Sequence, residues 1–74
     1  MSAQEWPGQI TAVDWRNAVI RTAEEICVKA QAEDCAVARA GYRQALLSLA
    51  LAASYAGADG ARLHITELVN KVVL

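Results

Sequence analysis

Residues 45–53 read Ala-Leu-Leu-Ser-Leu-Ala-Leu-Ala-Ala, apolar on almost every side once wound into a helix. A helix of that kind has to be surrounded by other protein. The uncharged stretch that contains it, residues 44–58, includes a glutamine, two serines and a glycine. It is shorter than the ~20 predominantly apolar residues of a membrane span, so it reads as a buried helix and no membrane role is expected. The chain of 74 residues makes a single domain. A domain this small removes only about 60–65% of its unfolded surface from water. Two partner helices cannot cover every side of this one. Its uncovered face, with Leu47, Leu51 and the small residues Ala36, Ala40 and Ser54, is therefore expected to meet another chain, and Ala50 and Ala52 are assigned to the same outer side.

Composition points the same way. Ala occurs 16 times, Val, Ile and Leu together 18 times, and the only aromatics are Trp6, Trp15, Tyr42 and Tyr55. Alanine favours helices and is depleted in strands, which predicts an all-α fold with close helix contacts. It also buries little area, so self-association would add the surface that the monomer lacks. Seven basic and eight acidic residues give a net charge of -1. That balance excludes a basic polyanion binder and an acidic tail, and 55% hydrophobic residues exclude the disordered class.

The only proline lies in Trp6-Pro7-Gly8, a turn signal that makes residues 1–10 an N-terminal arm ahead of a helical domain over 11–74. Thr11 is the expected cap of the first helix, with Asp14 at capping-box spacing and Ile10 with Trp15 as a hydrophobic staple. Ala12, Trp15, Val19, Ala23, Ile26 and Ala30 then recur at helical intervals, flanked by Ile20 and Cys27, while Asp14, Asn17, Arg21, Glu24, Glu25 and Lys29 take the other side. Trp15 is expected to anchor the core. Beyond residue 34 the stripe becomes Cys35, Ala38, Tyr42, Ala45/Leu46, Leu49 and Ala53, about 120° around from the first if the helix continues. One straight helix cannot turn both stripes to one core, so a break is predicted at residues 31–34 with Asp34 capping the second helix. Gly57 is the expected terminator of that helix. Ala61, Ile65, Leu68, Val69 and Val72 form a third stripe, with residues 63–65 either helical or extended and Thr66 a possible cap in the second case. The expected fold is an all-α, three-helix domain on a long antiparallel αα-hairpin, with helices over about 12–31, 34–56 and 61–73, assembled at least as a dimer.

Few residues carry chemistry. His64 is the only histidine and has no metal-ligand spacing around it, so neither a metal nor a cofactor is expected. Adjacent Glu24 and Glu25 do not share a helix face, the glycines make no phosphate loop, and no enzyme is expected. Cys27 and Cys35 could face one another across a turn or stay as free thiols; two cysteines and no secretion signal suggest a reducing cytoplasm. Arg39 and Arg43, one turn apart with Tyr42 between them, could grip an anion, pair with acidic residues, or rim an interface. Tyr42, Arg39, Arg43, Leu47 and Leu51 are the candidate contacts. The function these features suggest is a small non-enzymatic regulatory, inhibitory or assembly-adaptor factor that binds itself and another protein. Two alternatives are an oligomer that sequesters an anionic ligand such as a nucleotide through Arg39, Tyr42 and Arg43, and a helix-turn-helix DNA-binding protein. The -1 charge gives the second no electrostatic footprint.

Overall fold

The computed structural model describes residues 12–73. They form three helices, α1 (Ala12–Ala32), α2 (Ala36–Tyr55) and α3 (Asp59–Lys71), each packed against the other two, with no strand among the described residues. The expected cap at Thr11 and its staple partner Ile10 lie outside the described residues.

The break between α1 and α2 falls at residues 33–35, without glycine or proline. The Glu33 N–H closes a tight last turn on the Ala30 carbonyl at 3.3 Å, and the Glu33 carboxylate accepts the Cys35 N–H at 3.1 Å. The residue at the start of α2 is Cys35, extended and with no side-chain cap, which corrects the expectation for Asp34. Glu33 accepts the N–H of Cys35 itself, so the first turn of α2 has no side-chain cap.

At the far end of α2 the chain stops as glycine dictates. Gly57 has φ +75°, its N–H bonds the Ser54 carbonyl, and the Ala58 N–H bonds the Ala53 carbonyl. This pair of bonds is the Schellman motif, and Ala58 packs on the core beside it. A Cβ at position 57 would meet nothing within 4 Å, so its cost is purely conformational. Gly57→Ala is expected to lose about 1–2 kcal/mol through the left-handed penalty, read as a lower urea midpoint at unchanged slope.

α3 begins at Asp59, two residues before the predicted start, because the acidic side chain suits the positive end of the helix. It ends at Lys71 rather than residue 73, with Val72 extended but still buried. Residues 63–65 are helical, and Thr66 bonds the Arg62 carbonyl at 2.8 Å from within the helix instead of capping it.

Ala23, Cys27 and Ala30 of α1, Leu46, Ala50 and Ala53 of α2, and Ala61, Ile65, Leu68, Val69 and Val72 from α3 and its end make the core. Among the described residues only Leu46 and Ile65 are large and fully enclosed. The alanines let the helix axes approach closely around these two. Ala50 belongs to this core and not to the outer side. The Glu24 contact with His64 and the Cys27 contact with Leu68 show α1 and α3 running in the same sense. At that offset Asp59, the first residue of α3, stands level with Val19. Trp15 is a turn further out and only half-buried, outside the core it was expected to anchor, because α3 does not extend to that level.

Candidate protein interface

The core-facing stripe of α2 leaves Ala36, Val37, Ala40, Leu47, Leu51 and Tyr55 exposed along its opposite side. None of the exposed positions of α2 carries Asp, Glu, Lys or Arg. The contrast with α1 is sharp, since its exposed positions include Asp14, Arg16, Arg21, Glu24, Glu25 and Lys29. Leu47 and Leu51 are 38% and 52% exposed, while Val37 and Tyr55 reach 82% and 83%. Val37 and Tyr55 were not among the sequence candidates. Their signal was available, because residues 18 apart lie five turns apart on one line of a helix.

The polar candidates sit elsewhere. Tyr42 is half-buried and packs against the core. Arg39 works as a clamp: Nε donates to the Glu33 carbonyl at 3.1 Å, one terminal nitrogen to the Asp34 carbonyl at 3.2 Å and the other to the Val73 carbonyl at 3.1 Å. The guanidinium thereby joins the α1–α2 connection to the end of α3, using three carbonyls that lie just beyond the ends of α1 and α3. Arg43, half-buried one turn along, has no hydrogen bond or ion pair among the described residues. Arg39→Ala is expected to cost about 1–2 kcal/mol for three charge-assisted bonds that are partly screened by water. Arg39→Lys should recover less than half of it, because an ammonium lacks the planar fork; urea titration of both variants checks this.

Elsewhere the polar chemistry is sparse. His64 Nε2 lies 3.3 Å from a Glu24 carboxylate oxygen, both side chains about half exposed, a bond that ties α1 to α3 at the surface. An exposed pair of this kind contributes at most about 1 kcal/mol. Cys27 is buried with its Sγ 3.6 Å from the Leu68 carbonyl, and Cys35 is exposed; both thiols are free. Among the described residues no group of three His, Cys, Asp or Glu could hold a metal ion, and no helix is long and apolar enough to cross a membrane. An open depression on α1 is lined, among the described residues, by Asp14, Asn17, Ile20 and Arg21 of that one helix. The uncharged face of α2 is thus the surface that departs most from an ordinary solvated one. No family model matches the sequence, and comparisons with characterised proteins and with solved structures find no significant match.

Proposed function

We propose that the protein is a non-enzymatic interaction module, a small regulatory, inhibitory or assembly-adaptor factor acting through a homo-oligomeric helical scaffold. In this reading α1 and α2 form an antiparallel αα-hairpin, and the outer face of α2 meets another chain. The three-residue connection at 33–35 supports the hairpin. The observation that carries the interface is the lack of any charged side chain at the exposed positions of a 20-residue helix that presents Leu47 and Leu51. Interface centres are depleted in charge and enriched in large apolar and aromatic residues, whereas a solvated helix alternates charges along its outer side. Arg43 borders the face as a rim residue. Arg39 and Tyr42 hold the connection and the core behind it. Light scattering across a range of concentrations tests the scaffold: the account expects a mass above 7.9 kDa that grows with concentration. A mass of 7.9 kDa at every concentration would remove it.

A further inference from the structure

The exposed side of α2 is not uniform along its length. Toward its N-terminal end it carries a row of side chains four residues apart, Ala36, Ala40 and Gln44, of which the first two are small. Toward its C-terminal end it carries a row of bulky ones at the same step, Leu47, Leu51 and Tyr55. Rows at a spacing of four are the ridges and grooves through which helices interlock.

Building on the interface reading above, we propose that α2 pairs with α2 of a second copy in antiparallel orientation about a two-fold axis between Gln44 and Leu47. In this single register Tyr55 lies over Ala36 of the second copy, Leu51 over its Ala40 and Leu47 over its Gln44. The outer two bulky side chains, Tyr55 and Leu51, settle on alanines, and the two-fold makes every contact twice. The exception within the small half fits as well, since Val37 falls opposite Ser54. A parallel pair would set Leu51 against Leu51 and Tyr55 against Tyr55 at one end and face alanines across a gap at the other. Close packing disfavours both. A face without charges offers a foreign partner no electrostatic pattern to select, whereas it offers its own copy a matching shape. One helix pair about 30 Å long and roughly 10 Å wide covers well under the ~800 Å² per partner of a stable interface, so the dimer is reversible.

Disulfide trapping in the full chain tests the register. In a Cys35→Ser background, which removes the exposed thiol, chains carrying Ala40→Cys and chains carrying Leu51→Cys are oxidised separately and mixed, and the products are weighed by mass spectrometry. The mixed 40-to-51 disulfide is expected to dominate. Like positions would lie roughly 16 Å apart along the axis, beyond the ~7 Å between Cα atoms that a disulfide spans. A second pair, Ala36→Cys with Tyr55→Cys, should behave in the same way. Like-with-like products in excess would overturn the antiparallel register. No product from chains that light scattering finds dimeric would overturn this geometry while the interface reading stands. No product from chains that stay monomeric would overturn both.

Discussion

Leu46→Ala is expected to lower the unfolding free energy by about 2–5 kcal/mol, the cost of removing a large core side chain and leaving a cavity. Leu46 has no exposed surface, and among the described residues Ile65 is the only other large side chain so enclosed. The core it belongs to is rich in alanine, with Ala23, Ala30, Ala50, Ala53 and Ala61 among its members, and alanine has no further rotamers with which to close a void. For a domain of this length, stabilities of roughly 4–11 kcal/mol are usual, so the loss is a large part of the total. Leu47, next in sequence and 38% exposed, provides the internal comparison. Leu47→Ala should cost less than about 1 kcal/mol in the monomer, since little apolar area returns to water. Urea titration followed by circular dichroism reads both. Equal shifts for the two leucines would mean that the core has been assigned to the wrong side of α2.

The second large effect is on assembly. Leu51→Asp is expected to drive the protein to monomer while leaving the fold intact. Leu51 is 52% exposed and lies outside the core, so an aspartate there stays solvated in the single chain. In a pair it would be buried against the uncharged side of the second copy, inside the rim that Arg43 marks. An unpaired charge taken out of water costs several kcal/mol, and 1.4 kcal/mol already weakens association tenfold. The dissociation constant should therefore rise by at least about a hundredfold. Leu51→Ala, which deletes area without adding charge, should have a smaller effect in the same direction.

How far the fold was legible depends on the element. For α3 the stripe of Ala61, Ile65, Leu68, Val69 and Val72 is buried at every position, because a regular 3–4 spacing leaves only one side to turn inward. The phase jump between the stripes of α1 and α2 located the break within two residues. It could not show that the cap position would fall on Cys35 and not on Asp34, since that depends on how the connection turns between the two helices. Trp15 was misjudged because periodicity says which side of a helix faces inward and nothing about where the neighbouring helix ends. Ala50 was misjudged for a related reason: in a run apolar on all sides, hydrophobicity alone does not identify the inner face.

At the candidate site Leu47, Leu51, Ala36, Ala40 and Ser54 are exposed as their phase predicts. Tyr42, expected both in the inner stripe and among the contacts, packs inward, and Tyr55, which carried no expectation, stands 83% exposed at the end of the outer face. The clamp made by Arg39 was beyond sequence reading, since its most distant acceptor, the Val73 carbonyl, is 34 residues away and gives no local pattern.

Whether the uncharged outer face of α2 joins chains is decided by sedimentation of the wild-type chain and of Leu51→Asp over the same concentrations, with circular dichroism on each. The wild-type mass is expected to approach twice 7.9 kDa and the variant to stay at 7.9 kDa, with equal helical signal from both. A wild-type chain that sediments as a monomer throughout, or a variant that assembles as well as the wild type, would contradict the proposed interface.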